Sequence, residues 1–257
     1  MAARLSEPFD RDAFAHPIYD AVRPWLARLT DWPDHRELSA YATEAGVRTA
    51  SGEPVRFVAP RASDPYYEIR VHETGCVPTR LQNWHDLFNA LAWLAFPRTK
   101  AAINALHAAE IPRESGTLGR LRDLLTILDE GGAMVHCADP ELEAMIREFR
   151  WTELFWGARE RVLNGLRFVV LGHAVLDKAR APWPGIACKA IFLPPQVHPD
   201  SGAADWLGKN ALAGTPRLLA AVPVFGYPGW LPETADREFY GDERYFRPLR
   251  RAEVGSE

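Results

Sequence analysis

The segment QNWHDLFNALAWLAFP at 82–97 constrains the fold of this chain more than any other stretch of its sequence. At 100° per residue, its apolar side chains cover a wide arc of a helix, and Trp93 and Phe96 fall on the remaining side. A helix that is apolar on almost every face has to be surrounded by other elements, so the pattern predicts a buried helix over 83–96. Hydrophobic residues make up 47% of the chain, which is enough to build those surroundings.

The patterns along the rest of the chain predict an α+β protein that is mainly α, with a helical core and a small β-sheet. Further helices are predicted at 10–29, 34–45, 97–107, 118–129, 140–149, 152–163 and 203–212. The run RFVVLGHAVLDK at 167–178 could begin as a strand, but its length favours a buried helix. Strands are predicted for VRFV at 55–58 and YYEIRV at 66–71, as a pair that forms a small sheet, and for 187–193.

The segment from about 194 to 251 is rich in proline, glycine and aromatic residues, as in VPVFGYPGW and FYGDERYF. A flexible linker would be polar and poor in aromatic residues, so we expect an extended segment that wraps the body of the protein. The chain shows no internal repeat and no linker composition elsewhere. It is therefore predicted to form a single domain over 1–257, with an N-terminal helical part at about 10–46.

Charge and cysteine content exclude several classes of partner and compartment. The net charge of -4 leaves no basic surplus for nucleic acid. No apolar run approaches the roughly 20 residues that span a bilayer, and the charged first 14 residues do not resemble a secretory signal. The three cysteines are far apart and form no disulfide framework. We expect a cytoplasmic protein that binds a small molecule, with no nucleic-acid or membrane partner.

Three polar residues, His85, Asp86 and Asn89, share one wedge of the predicted central helix. An unpaired buried polar group costs about 1–3 kcal/mol, so side chains, water or a ligand must face this wedge. Asn83 is a natural N-cap and Asp86 is three residues after it, so Asp86 could instead serve only to stabilise the helix start. The helix dipole favours a neutral His85, which could bind a metal, act as a base or hydrogen-bond within the core.

Two more histidines are candidates for the same site. His107 shares a face of the following helix with Lys100; a solvated polar stripe is the more ordinary interpretation, and a second wall of the site is the alternative. His173 lies in the apolar run LGHAVLDK, where Asp177 at i+4 could orient its ring. Gly172 would allow another element to approach closely. A lone histidine on an apolar helix is more often a hydrogen-bonded core residue.

Three blocks of this sequence resemble, in order, those of an uncharacterised bacterial family that is a domain of unknown function. They are NWHDLFNALAWLAFPRTKAAINALH, LGHAVLDK, and VPVFGYPGW with FYGDERYFRP, and the resemblance spans about 57–247. It implies one compact unit and a special role for the first block, but no chemistry. The positions that it implies as the family signature are Arg80, Asn83, Trp84, His85, Asp86, Asn89, Pro97, Arg98, Lys100, His107 and His173.

Two chemistries fit these residues. Metal-assisted hydrolysis would use a divalent transition metal, with nitrogen and oxygen ligands drawn from His85, His107, His173, Asp86, Asp129 and Glu130. Metal-free acid–base catalysis would use His85 with Asn89, or His173 with Asp177, beside Arg80 or Lys189. A cysteine nucleophile, Cys76, is weakly indicated because scattered thiols are usually packing residues.

The function best supported by the sequence is a hydrolase acting on a small polar or anionic substrate. The predicted catalytic residues are His85, Asp86, Asn89, His107 and His173, and the metal would be held by His85, His107 and His173. Substrate would be bound by Arg80, Arg98, Lys100 and Trp84. The alternative is a non-catalytic binding or interaction protein, in which the histidines are structural and the tryptophans Trp84, Trp93 and Trp230 anchor the partner.

Overall fold

Helices form most of the computed structural model, which describes residues 8–62, 64, 66–111 and 119–249. Position 118 of one predicted helix and positions 250–251 of the predicted C-terminal segment lie outside the described residues. No helix in the described ranges is both long and apolar enough to cross a membrane. The helices are α1 (Arg23–Leu26), α2 (His35–Glu44), α3 (Tyr67–Thr74), α4 (Trp84–Ala95), α5 (Pro97–Glu110), α6 (Gly119–Gly131), α7 (Pro140–Arg147), α8 (Arg159–Gly165), α9 (His173–Lys178) and α10 (Pro199–Asn210).

The strands form two small sheets. They are β1 (Arg56–Val58), β2 (Cys76–Pro78), β3 (Gly132–Cys137), β4 (Leu166–Val170), β5 (Cys188–Leu193) and β6 (Ala220–Val222). β1 and β2 pair in parallel, while the other four strands form a mixed sheet in the order β4-β3-β5-β6. β3 is parallel to β5 and antiparallel to β4. The predicted α+β class with helices in the majority is confirmed.

The predicted strand at 66–71 is wrong, because most of this segment belongs to helix α3. Alternation over six residues fits a strand, but Tyr67 and Val71 are also four residues apart and share a helical face. The helix ends at Gly75, whose positive φ of 67° lets the chain reverse and whose N–H donates to the Val71 carbonyl. The partner of β1 is therefore β2, which begins directly after this glycine.

The run at 167–178 is also corrected, since it divides into β4 and the short helix α9. The third to fifth residues of β4 are buried, so its sequence reads as a continuous apolar run that resembles a buried helix. The sequence patterns also do not predict strand β3. It begins at Gly132, the second of two adjacent glycines, and such a pair is typical of the end of a helix.

Helix α4 is the central helix that the sequence predicts. Seven of its twelve residues are buried, and its side chains enter two apolar clusters on opposite faces of the four-stranded sheet. The first cluster contains Phe88 and residues from both ends of the described chain, including Phe14 and Phe246. The second cluster contains Ala92 and side chains of α6 and α10. The segment from 224 to 246 consists of 3-10 turns and loops that pack against the first cluster.

The end of β4 crosses the backbone at the end of α6 at Gly172. The Gly132 carbonyl accepts hydrogen bonds from Leu171 N and Gly172 N at 3.0 and 2.9 Å. A Cβ at Gly172 would lie 2.6 Å from Gly132 N and 2.7 Å from the Glu130 carbonyl oxygen. Gly172 therefore permits the close approach expected from the sequence. The crossing places His173, the first residue of α9, beside the last turn of α6.

We expect Gly172→Ala to lower the free energy of unfolding by about 1–3 kcal/mol, because the new methyl group would overlap backbone atoms. Gly208→Ala in α10 is the matched control, since a Cβ there meets nothing within 4 Å. The control should be neutral or stabilising by up to about 1 kcal/mol. Urea denaturation of both variants measures the difference, and a Gly172→Ala protein as stable as the wild type would contradict the crossing.

Candidate metal centre and its buried polar network

Three side chains converge where α4, α6 and α9 meet. His173 Nε2 lies 3.2 Å from His85 Nε2 and 3.6 Å from Glu130 Oε2. The donor atoms of all three lie within 4.8 Å of one another, and no other group of this kind occurs among the described residues. Two ligands that each stand 2.0–2.1 Å from a tetrahedral zinc ion are about 3.3 Å apart. The spacing of the two imidazoles therefore matches a shared transition metal.

The centre lies at the boundary between core and solvent. His173 is buried, with 3% of its surface exposed, whereas His85 and Glu130 are partly exposed. Burial lowers the pKa of His173 to about 4, so this imidazole is neutral, as a metal ligand must be. Its Nδ1 atom lies 3.8 Å from Asp129 Oδ2. A proton on Nδ1 would face this carboxylate and leave Nε2 available for a metal.

A buried ion pair stands behind the centre. Lys100, 3% exposed, donates through Nζ to the Asp129 carboxylate and, at 2.8 Å, to Asn89 Oδ1. Asn89 Nδ2 in turn donates to the Tyr67 hydroxyl at 3.1 Å. Burial alone would raise the pKa of Asp129, but the Lys100 ammonium and His173 hold that pKa below its usual value. Asp129 is therefore a carboxylate where it faces the His173 ring.

The polar stripe of α5 faces inward, which corrects the interpretation of a solvated stripe. Asn104, 2% exposed, donates through Nδ2 to Glu68 Oε2 at 2.6 Å, and His107 is also buried. The reason is that α3 packs on α5 and presents Glu68 and Tyr67 to it. Burial raises the pKa of Glu68 to about 7 and lowers the pKa of His107. We name the set formed by Tyr67, Glu68, Asn89, Lys100, Asn104, His107 and Asp129 the polar network.

Two expectations about the histidines are corrected by this geometry. His107 does not join the donor group, and Glu130 occupies the third place. Asp177 does not orient His173, because its carboxylate accepts from Arg180 Nη1 at 3.3 Å while the His173 ring is turned toward α6. Helical spacing alone could not reveal that α6 passes closer to this ring than the next turn of its own helix.

Asp86 and its neighbours have other partners. As expected for an N-cap, Asn83 Oδ1 accepts from the Asp86 N–H at 3.0 Å. The Asp86 carboxylate accepts hydrogen bonds from the backbone N–H and the guanidinium of Arg80. The two side chains therefore pair with each other rather than with a metal or a substrate. Trp84 packs in an aromatic group, with its ring centroid 4.2 Å from that of Trp32. It belongs to the core rather than to a ligand pocket.

Arg98 lies at the opposite end of α4 from the centre. It follows a helix of twelve residues, which spans about 18 Å. Its N–H donates to Asp200 Oδ2 at 3.1 Å. The structure therefore does not bring Arg98 to the site, whereas Lys100, two residues later, turns inward to Asn89.

Sequence reasoning missed Tyr67 and Glu68 because it assigned them to a strand. Asp129 and Glu130 offer a signal in the sequence for a nearby positive charge. They occupy the last turn of a helix that ends at Gly131-Gly132, and the dipole at a helix C-terminus disfavours negative charge. Such a placement indicates a cationic partner, which here is Lys100 for Asp129.

Removal of Lys100 tests the buried pair. Lys100→Met leaves the Asp129 carboxylate without its ammonium, so we expect the free energy of unfolding to fall by about 3 kcal/mol or more. The double variant Lys100→Met/Asp129→Leu leaves no unpaired charge and should recover at least half of this loss. Chemical denaturation measures both, and a single variant that is no less stable than the double variant would rule out an important buried pair.

Glu68 makes stability depend on pH. Its pKa in the folded protein, about 7, lies above the ordinary value of 4.5, so between these values the folded state keeps a proton that the unfolded chain has released. Stability should therefore fall as pH rises through this window, by at most about 3.5 kcal/mol at about 1.4 kcal/mol per pKa unit. Glu68→Gln keeps an oxygen for Asn104 and should lose this dependence. A stability difference between the two proteins that is the same at pH 5 and pH 8 would contradict the assignment.

Comparison with known proteins places the chain in a family. No curated protein and no solved structure matches it. A family model described as "Protein of unknown function (DUF3025)" matches residues 55–250, a range that includes His85, Glu130 and His173. This match covers most of the chain and confirms the resemblance drawn from its sequence blocks. The chain therefore belongs to the DUF3025 family.

Proposed function

We propose that this protein is a metal-dependent hydrolase of a small polar or anionic substrate. The observation that carries the proposal is the convergence of His85, Glu130 and His173 at distances that match first-row transition-metal coordination. Two imidazoles and one carboxylate are the ligand set of many hydrolytic zinc sites. The three unpaired cysteines are consistent with a reducing compartment, so we further propose that the protein is cytoplasmic.

A metal held by His85, Glu130 and His173 would have open positions for water and for a substrate oxygen, and it would supply Lewis acidity that lowers the pKa of that water. The residues of this chain would supply the rest. Asp129 lies 3.8 Å from His173 Nδ1 and would orient the ring through its negative charge, and Lys100 keeps Asp129 ionised. Burial raises the pKa of Glu130, and the positive charges of Lys100 and Lys178 oppose this rise. These two ammonium groups would also attract an anionic substrate.

Elemental analysis of untagged protein, purified without added metal, tests the centre. We expect close to one transition-metal ion per chain, lost in His85→Ala, His173→Ala and Glu130→Gln because each removes one ligand. His35→Gln is the control, since His35 Nε2 is paired with the Thr79 carbonyl at 2.7 Å and lies outside the donor group. Metal-free wild type that also fails to bind added Zn²⁺ or Mn²⁺ would refute the proposal.

Turnover is tested with p-nitrophenyl phosphate, bis-p-nitrophenyl phosphate, p-nitrophenyl acetate and amino-acid p-nitroanilides. Any activity should disappear in His85→Ala. With EDTA present, so that both proteins are metal-free, its free energy of unfolding should differ from that of the wild type by less than about 1 kcal/mol, because a partly exposed side chain adds little to the core.

The second candidate is a non-catalytic protein in which His85 and His173 form a structural hydrogen bond at 3.2 Å. In that case His85→Ala would leave the His173 ring unpaired and lower the stability by about 1–3 kcal/mol. The two candidates thus give opposite results in the same pair of measurements, namely turnover and unfolding of one variant.

A further inference from the structure

A cleft of about 560 Å³ lies at the β4 edge of the four-stranded sheet. It is bounded by β4, by the junction of α4 and α5, by the turn at Pro17–Ala21 and by the loop at Tyr227–Trp230. None of the three proposed metal ligands lines it. Small-molecule sites typically have volumes of about 300–1,000 Å³, so this cleft is large enough for a ligand of its own.

The walls of the cleft are aromatic and held in place. They include the rings of Phe96, Phe168, Tyr227 and Trp230. The Phe168 centroid lies 5.5 Å from that of Tyr227 and 6.1 Å from that of Trp230. The Tyr227 hydroxyl donates to the Leu166 carbonyl at 2.9 Å, and His16 Nε2 lies 2.8 Å from the Trp230 carbonyl oxygen. A flat apolar group would therefore meet rings that are already fixed.

One end of the cleft is positively charged. Arg167 and His198 both line it, and in the described part of the chain no carboxylate lies within ion-pair distance of the Arg167 guanidinium. Helix α10 begins at Pro199, which also lines the cleft, so its dipole adds positive potential there. His136 is paired with Arg167 across β3 and β4, which puts the two side chains on one face of the sheet.

His136 is a buried polar side chain near this end of the cleft. It is 2% exposed, and neither of its ring nitrogens makes a hydrogen bond with a described residue. Burial lowers the pKa of this imidazole, and the nearby Arg167 guanidinium lowers it further. A buried polar ring next to two basic side chains would be stabilised by a negative charge at this end of the cleft.

The acidic residues near the cleft do not supply that charge. Asp20 also lines the cleft, but its carboxylate accepts from Arg23 Nη2 at 2.5 Å. The buried carboxylate of Asp200 accepts from the N–H groups of Arg98 and Thr99 at 3.1 and 2.8 Å, so it caps the start of α5. Each is satisfied by another group, which leaves Arg167 available to a ligand.

We infer that this cleft binds a small aromatic carboxylate, with its ring packed against the aromatic wall formed by Phe168, Tyr227 and Trp230 and its carboxylate at Arg167 and His198. Aromatic surface stabilises the flat ring, and a guanidinium can bind a carboxylate through two parallel hydrogen bonds. The inference rests on residues that the proposed hydrolase centre does not use.

The probe is 1-naphthoate, titrated into the full chain and followed by isothermal calorimetry and by quenching of tryptophan fluorescence. We expect saturable binding with one site per chain. Arg167→Gln should weaken it at least 10-fold, and Trp230→Leu should weaken it and remove most of the quenching. The neutral analogue 1-naphthamide should bind the wild type at least 10-fold more weakly than the acid. Arg217→Gln, a change of another exposed arginine outside the cleft, should have no effect.

A carboxylate could also bind at the proposed metal centre, and His85→Ala separates the two sites. Binding that survives His85→Ala but not Arg167→Gln supports the cleft and holds whether or not the hydrolase proposal is correct. Binding that is lost in His85→Ala and kept in Arg167→Gln overturns the inference. Equal affinity for 1-naphthoate and 1-naphthamide, or no saturable binding up to 5 mM, roughly the range of the weakest specific ligands, also overturns it.

Discussion

The backbone crossing at Gly172 is the constraint on which the site depends. Two N–H groups from the end of β4 converge on one carbonyl at the start of β3, and any side chain at residue 172 would separate them. Because α6 leads directly into β3 and α9 follows directly after β4, this contact fixes the distance between Glu130 and His173. Backbone geometry, rather than a side-chain contact, thus sets the spacing of the proposed ligands.

The polar network positions helix α4, which carries the remaining donor, His85. A buried ion pair such as Lys100–Asp129 seldom contributes more to the stability of a fold than well-packed apolar residues would, since both charges lose their hydration. Its effect here is positional. Lys100 joins α5 to α6 through Asp129 and to α4 through Asn89, and Asn89 joins α4 to α3 through Tyr67. The helix that carries His85 is thereby held in position relative to α6, which carries Glu130.

The features of the fold and the site that the sequence predicts are those that depend on contacts between residues close together in the chain. The central helix, its Asn83 cap and the role of Gly172 follow from patterns within a few residues, and the sequence predicts all three. The donor Glu130 could not be chosen over His107, because both lie on helices that reach the region and only the packing of α6 against α9 decides between them. The prediction for helix α3 was wrong for the same reason. The six residues at 66–71 fit the periodicity of a strand and that of a helix, and the contact of this segment with α5 favours the helix.

The segment before residue 55 bears on where the folding unit begins. Tyr19 lies outside the family match, yet its hydroxyl donates to the Leu176 carbonyl of α9 at 3.1 Å and its ring stacks on Phe88 of α4. Buried with it are Phe14, Ile18, Val22, Leu26 and Leu29. Burying a large apolar side chain stabilises a fold by about 1.5–3 kcal/mol, and a whole domain has only about 5–15 kcal/mol. A fragment that began at residue 55 would thus lose packing that supports both histidine-bearing helices, so the region matched by the family model and the smallest stable protein are different lengths of chain.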